Sequence, residues 1–191
     1  DDGFIENYEN AFPVLKRLNL PSLTFLPSEC IKSSGSIWTD QLVYALNHSY
    51  ASVLTLSFLE QPLPINTKQK IEHAIAVLKF LFKSIENNKR LVYLSELFTA
   101  LNYNPEIIPR HLLTLAQIEE MVAVGMDMGG HSVNHPILSS LSPEEISPEI
   151  DGCKDFLEEI GSDSLSFCYP NGRTEDFNVD VVKAVADAGF S

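Results

Sequence analysis

Residues 126–136 read MDMGGHSVNHP and combine a short apolar run with two glycines and two histidines. The apolar run predicts a strand over residues 126–129 that leads directly into His131. His131 and His135 are four residues apart, so on a helical turn both imidazoles would lie on one side and could bind one divalent ion. The glycines suit a tight loop in which the backbone approaches a ligand. Surface histidines near a helix start would show the same spacing, which leaves both interpretations open.

Helices and strands alternate around this stretch. Capping boxes at Thr114 and Ser142 predict the start of one helix before it and one after it, and glycines predict where each ends. The predicted order is a helix ending before Pro21, a strand at 22–26, a helix at 114–125, a strand at 126–129, a helix at 142–161, a strand at 165–169 and a helix at 179–188. This order is typical of a parallel α/β fold, in which functional groups gather at strand ends.

Residues 29–110 do not follow the alternation. They predict mainly helices, at 38–46, 67–85 and 91–101, with a short strand at 54–58. We interpret them as a mostly helical insertion into an α/β core formed by residues 1–28 and 111–191. Its two histidines, His48 and His73, lie in separate elements, so the insertion is expected to donate no metal ligand.

Composition excludes two classes of partner. The chain has 191 residues, of which 45% are hydrophobic, enough for one sizeable core. The formal net charge is -13 and no Lys/Arg block offers the cationic face that nucleic acids require. No window approaches the roughly 18–20 apolar residues of a membrane span.

Three cysteines, Cys30, Cys153 and Cys168, are odd in number and widely spaced, which predicts neither a disulfide framework nor a cysteine zinc site. Cys30 and Cys153 are expected as small buried residues. Free thiols slightly favour a cytoplasmic location, whereas the sequence specifies neither the compartment nor the oligomeric state.

Asp1, Asp2 and Gly3 form a second cluster. Adjacent acids before a glycine are typical of a solvated turn. The pair also suits catalysis, because one carboxylate can bind a metal ion while its neighbour, which points elsewhere, accepts a proton from water. With His131 and His135, Asp2 would complete the two-histidine, one-carboxylate set of a catalytic zinc site.

The third cluster, residues 166–173, reads SFCYPNGR. It predicts a buried strand that runs into a Pro-Asn-Gly turn, which is a sufficient structural reason for these residues. A turn at a strand end can also present a backbone N–H to a developing oxyanion.

The order Asp-Asp-Gly, His-Ser-x-x-His-Pro and Phe-x-Tyr-Pro-x-Gly resembles the first three motifs of the NodB-type polysaccharide deacetylases, carbohydrate esterase family 4. Residues 24–27 also resemble the family's second strand, and residues 115–131 its helix and strand before the histidines. The resemblance implies a distorted (β/α) barrel, here partial. It also implies a hydrolase that uses one divalent ion, preferably zinc, to remove N-acetyl groups from an N-acetylated sugar or polysaccharide.

The resemblance assigns roles to seven residues: catalytic base Asp1; metal ligands Asp2, His131 and His135; oxyanion donor Asn171, through its backbone N–H; and substrate-binding residues Tyr169 and Pro170. Many members have an arginine where Cys168 stands, so this chain resembles the Phe-x-Tyr-Pro-x-Gly subgroup. The interval before the histidines is longer than is usual in the family because of the insertion. The first barrel strand is expected before Asp1, and the motif with the general-acid histidine beyond Ser191.

Two other functions stay open. The chain could be a carbohydrate-binding module or pseudoenzyme that stacks sugars on Trp38 and on tyrosines of the insertion. Apolar neighbours at helical spacing favour a core position for Trp38, however. An O-acetyl esterase or an N-deformylase on the same fold is the second alternative.

Overall fold

The computed structural model describes residues 1–104 and 108–191, so residues 105–107 of the predicted insertion lie outside the described residues. The chain forms two compact units, one of Asp1–Ser36 with Arg110–Ser191 and one of Ile37–Pro109. In chain order the elements are a π-helical turn Asn7–Ala11, α1 Phe12–Leu18, β1 Leu23–Leu26, α2 Ser28–Lys32, α3 Trp38–Asn47, β2 Val53–Leu54, β3 Leu63–Pro64, α4 Lys68–Lys83, α5 Asn87–Ala100, α6 Leu115–Ala123, β4 Asp127–Gly130, a 3-10 turn Leu138–Ser140, α7 Pro143–Glu159 and α8 Val179–Asp187.

The first unit is built on a short parallel sheet. β1 and β4 pair in parallel over their full length, and Phe167 adds a single parallel bridge to Gly130. At this bridge Gly130 N donates to Ser166 O (3.0 Å) and Cys168 N donates to Gly130 O (2.9 Å). Because parallel strands end at one edge, His131 and the residues that follow Cys168 leave the sheet side by side.

The predicted strand at residues 165–169 is reduced to this one bridge. The Leu165 carbonyl accepts a hydrogen bond from Ser191 N (2.7 Å), and Ser191 lies outside the strands of the structure. Among the described residues the sheet of the first unit consists of β1, β4 and the Phe167 bridge. Closure into a barrel therefore stays a prediction.

Capping chemistry sets the limits of the helices beside the sheet. At α6 Thr114 Oγ1 accepts from Gln117 N (3.1 Å) while Gln117 Oε1 accepts from Thr114 N (2.8 Å). At α7 Glu145 Oε2 accepts from Ser142 N (2.8 Å). Gly125 follows α6 with φ of 87°, a left-handed conformation that costs glycine little. Both predicted capping boxes are confirmed.

The helix predicted at the start of the chain is wrong in its buried face. The helical spacing of apolar residues from Tyr8 to Leu18 predicts that Val14 and Leu18 lie on the buried face, but they are 42% and 56% exposed, and Phe12 is the buried residue. The segment begins with a π-helical turn, in which hydrogen bonds span five residues instead of four. A face calculated from the regular helical repeat is therefore shifted around the axis.

Gly129 and Gly130 lie within β4, so the interpretation of a loop beside a ligand is wrong for them. A Cβ on Gly129 would lie 2.6 Å from ring carbons of Phe25 and 3.0 Å from Ser166 O. A Cβ on Gly130 would lie 2.9 Å from the Phe167 ring. The glycines leave room for aromatic rings to pack on the sheet.

Replacement of Gly129 with alanine is expected to lower the free energy of unfolding by about 1–3 kcal/mol, the usual cost of overpacking. Denaturant unfolding would measure this change. Adding Phe25→Leu should restore part of the loss, because the Phe25 ring carbons are the atoms nearest the new methyl group. A Gly129→Ala variant as stable as the parent would contradict this explanation of the glycine.

The second unit is mostly helical, with α3, α4 and α5 beside the two-residue antiparallel pair of β2 and β3. Ala74, Leu78 and Phe82 on α4 are fully buried, and the Trp38 ring packs edge-on against Phe82 at 6.3 Å. Trp38 is 7% exposed, so its predicted core position is confirmed and it offers no open face for a sugar. The assignment of residues 29–110 as an insertion into a barrel stays a prediction.

Cys30 and Cys153 are buried, as predicted, and Cys168 is partly exposed. Within the two described ranges, no helix combines the length and the apolarity needed to cross a membrane.

Candidate metal centre

Three side chains converge beyond the end of β4. Asp2 Oδ1 lies 3.2 Å from His131 Nε2 and 2.9 Å from His135 Nε2. Zinc ligands at about 2.0–2.2 Å in a tetrahedral arrangement are separated by about 3.3 Å, so these contacts have the spacing that one ion needs. His131 and His135 are 1% and 5% exposed. The ligand atoms of all three residues lie within 4.8 Å of one another, and within the described residues no other group of three His, Cys, Asp or Glu side chains does this.

The two histidines lie in an irregular loop and not on a helical turn, so the predicted local conformation is wrong. Ser132 and His135 have φ of 63° and 55°, left-handed values that cost a non-glycine residue roughly 1–2 kcal/mol each. Ser132 Oγ accepts a hydrogen bond from His135 N (3.1 Å) across the loop. The four-residue spacing therefore brings the imidazoles together through this loop, with ring centroids 4.9 Å apart.

A backbone carbonyl orients His131. Its Nδ1 lies 2.8 Å from the Cys168 carbonyl oxygen, which can only accept, so Nδ1 carries the proton and donates. Nε2, the nitrogen that faces Asp2, is then the one able to bind an ion. This contact also joins the third sequence cluster to the metal-ligand candidates.

The contact between Asp2 and the histidines shifts the pKa values of Asp2 and His131. Burial alone would raise the pKa of the Asp2 carboxyl, but hydrogen bonds from His131 and His135 hold that pKa well below its usual range. Burial alone would lower the pKa of His131, but hydrogen bonds to Asp2 and to the Cys168 carbonyl raise it to about 9. Asp2 is consequently ionised, as a ligand must be, and an ion that binds His131 displaces a proton.

In the first cluster, Asp2 is the residue that contacts the two histidines. Asp2 and Gly3 both have left-handed backbones, with φ of 64° and 65°. The Gly3 carbonyl accepts from Leu113 N (2.8 Å), which fixes the turn against the segment before α6. Asp1 is exposed and lies outside the group of three.

The third cluster forms a tight turn after the Phe167 bridge. Pro170 is buried, and Asn171 and Gly172 are consecutive left-handed residues with φ of 66° and 70°. Tyr169 stacks on Phe177 with ring centroids 4.4 Å apart, and burial raises the pKa of its hydroxyl. Asn171 Nδ2 is buried and finds no hydrogen-bond partner among the described residues. The predicted substrate and oxyanion roles of this turn stay predictions.

Two contacts of the loop between the histidines were missed at the sequence level. The Cys168 carbonyl belongs to the backbone, so the residue type at that position does not indicate its role. Glu149 on α7 accepts hydrogen bonds from the loop backbone, yet in the sequence it is one acidic residue among several on a helix. No sequence pattern therefore predicts either contact.

Comparison with known proteins identifies the family of the chain. The family model described as polysaccharide deacetylase matches residues 1–191. No curated protein matches the chain. Solved structures of similar fold include PplD, BpsB and IcaB. The Streptococcus pyogenes deacetylase PplD, solved in complex with acetate, is 19% identical with a TM-score of 0.55, over 100% of this chain and 50% of that one.

The deacetylase domain of BpsB from Bordetella bronchiseptica is 16% identical with a TM-score of 0.51, over 99% of this chain and 59% of that one. IcaB from Ammonifex degensii is 18% identical with a TM-score of 0.52, over 100% and 55%. The chain thus spans 50–59% of the length of these structures, and at such identities they show a shared fold. Because the family model covers every residue from the Asp-Asp-Gly turn to the end of α8, this chain belongs to the polysaccharide deacetylase family.

Proposed function

We propose that this chain provides the metal-binding half of a NodB-type deacetylase that removes N-acetyl groups from an N-acetylated sugar or polysaccharide, with zinc as the ion. The convergence of Asp2, His131 and His135 in a chain of this family is the observation that carries the proposal. We also propose membership of the Phe-x-Tyr-Pro-x-Gly subgroup and, as the complete fold, a distorted (β/α) barrel.

The donor set suits such an ion. Two neutral imidazole nitrogens and one carboxylate oxygen are the ligands of many catalytic zinc sites, which keep a further position for water or substrate. For His131, the Cys168 carbonyl supplies the outer hydrogen bond that a ligating histidine usually makes. When bound, the ion lowers the pKa of water and polarises the acetyl carbonyl.

We assign different roles to the two adjacent carboxylates, with Asp2 as the metal ligand and Asp1 as the general base. Asp2 Oδ1 contacts both histidines, so an ion held by the two imidazoles would also occupy this carboxylate. Asp1 is adjacent to Asp2 in the chain but does not belong to the group of three candidate ligands. We therefore propose that Asp1 accepts a proton from the attacking water. The Asn171 N–H is assigned to the oxyanion, and Tyr169 and Pro170 to the substrate groove.

Acetate release by the zinc-loaded intact protein tests the proposal. N-acetylated oligosaccharides should be deacetylated, and an acetylated xylan should be a poor substrate. Preference for the xylan would indicate an O-acetyl esterase, and release of formate from an N-formyl substrate alone would indicate a deformylase. Sugar binding without any acyl release would indicate a carbohydrate-binding module.

A further inference from the structure

The metal loop, residues 131–135, is held by one carboxylate from α7. Glu149 Oε2 accepts hydrogen bonds from Val133 N (2.9 Å) and Asn134 N (2.8 Å). Its second oxygen, Oε1, accepts from Asn134 Nδ2 (2.7 Å). Bonds to an ionised acceptor are about twice as strong as neutral ones, so these three contacts form a firm attachment.

Carbonyl groups of the loop accept hydrogen bonds from backbone N–H groups of α2. Ser28 N donates to Ser132 O (3.1 Å) and Glu29 N donates to Val133 O (2.9 Å). Two adjacent N–H groups of the loop therefore bond to α7, and two adjacent carbonyls accept hydrogen bonds from α2. Left-handed backbone conformations at non-glycine residues persist only where surrounding contacts stabilise them. The hydrogen bonds to α2 and α7 provide this stabilisation for the loop.

Close packing keeps α7 at the distance that the carboxylate needs. A Cβ on Gly152, one turn after Glu149, would lie only 2.9 Å from Val133 Cγ2. Below it, Ile150 and Cys153 are fully buried. The helix is therefore fixed against the loop, and the Glu149 side chain has a rigid base.

We propose that Glu149 is a positioning residue for the two metal-binding histidines, an inference that rests on the proposed metal-dependent function. Val133 and Asn134 lie between His131 and His135 in the chain, so fixing their amides fixes the separation of the imidazoles. Glu149 touches neither the ion nor the substrate in this role. It acts by keeping the loop in the one conformation in which both Nε2 atoms reach Asp2 Oδ1.

Cobalt(II) binding by the intact protein, stripped with a chelator, tests the role. Glu149→Ala is expected to weaken cobalt affinity by about 10- to 100-fold, the usual effect of losing an outer-shell partner. The visible absorption of bound cobalt, which reports ligand geometry, should change as well. Glu149→Gln keeps one oxygen acceptor and should weaken affinity only several-fold. Glu158→Ala removes an exposed glutamate from the same helix and should match the parent in affinity and spectrum.

A Glu149→Ala protein with parent affinity and an unchanged cobalt spectrum would overturn the positioning role. If that variant fails to fold by circular dichroism, Glu149→Gln decides, because parent affinity in the glutamine variant would equally overturn it. A parent protein that binds no cobalt would instead refute the metal site, and with it the inference. Cobalt affinity in the parent thus separates failure of the proposed function from failure of the Glu149 role.

Discussion

Asp1→Asn is expected to slow acetate release from an N-acetylated oligosaccharide by about 100- to 10,000-fold, the range for loss of a general base, without loss of zinc. Asp2 contacts both imidazoles and is the proposed metal ligand, so it is not expected to replace Asp1 as the base. Steady-state acetate release, together with zinc content, measures the two effects separately.

The matched control is Glu6→Gln, which neutralises another exposed acid near the start of the chain and should leave both quantities unchanged. Turnover of Asp1→Asn within a few-fold of the parent would remove Asp1 from the mechanism. Loss of zinc in step with activity would make Asp1 a ligand and would reverse the roles of the two aspartates.

His131→Ala is expected to weaken zinc binding by more than about 100-fold, because losing a ligand costs more than losing an outer-shell partner. The His131 imidazole is 1% exposed and bonded on both sides, so its removal takes a ligand atom from the site and a partner from Asp2 and the Cys168 carbonyl. Titration of the metal-free protein with zinc against a competing chelator would give the affinity.

His73→Ala provides the control, since His73 is an exposed histidine on α4 in the second unit and should not affect zinc affinity. Circular dichroism and thermal unfolding of the metal-free variants would separate lost binding from lost folding. A folded His131→Ala protein that binds zinc as tightly as the parent would mean that the ion site lies elsewhere.

Local signals in the sequence were sufficient where side chains act on their own backbone. Thr114 and Ser142 begin helices because their hydroxyl and backbone groups bond within one turn, and Gly125 ends a helix because it adopts a positive φ. Such interactions involve residues three or four apart, so the sequence predicts them directly.

The three candidate ligands were found for a different reason. No local interaction links Asp2 to the histidines, which are far away in the chain. The ligand chemistry of two imidazoles and one carboxylate suggested the set, and the resemblance to a family supported it. The resemblance did not give the conformation of the metal loop, where Ser132 and His135 adopt left-handed backbones that helical spacing cannot predict.

Other contacts between distant segments were not predicted. The Cys168 carbonyl bonds to His131 and the Glu149 carboxylate bonds to Val133 and Asn134 only because the sheet and α7 bring these segments together. The crowding of Phe25 against Gly129 has the same origin, since β1 and β4 are neighbours in the sheet but not in the sequence.

Zinc dependence of acetate release tests the central claim, that Asp2, His131 and His135 hold an ion required for deacetylation. The intact protein would be stripped by chelation, titrated with zinc and assayed at each step on an N-acetylated oligosaccharide. The account predicts no release from the stripped protein and a return of activity that saturates at one zinc per chain. Full activity of a stripped protein with no measurable divalent metal would contradict it.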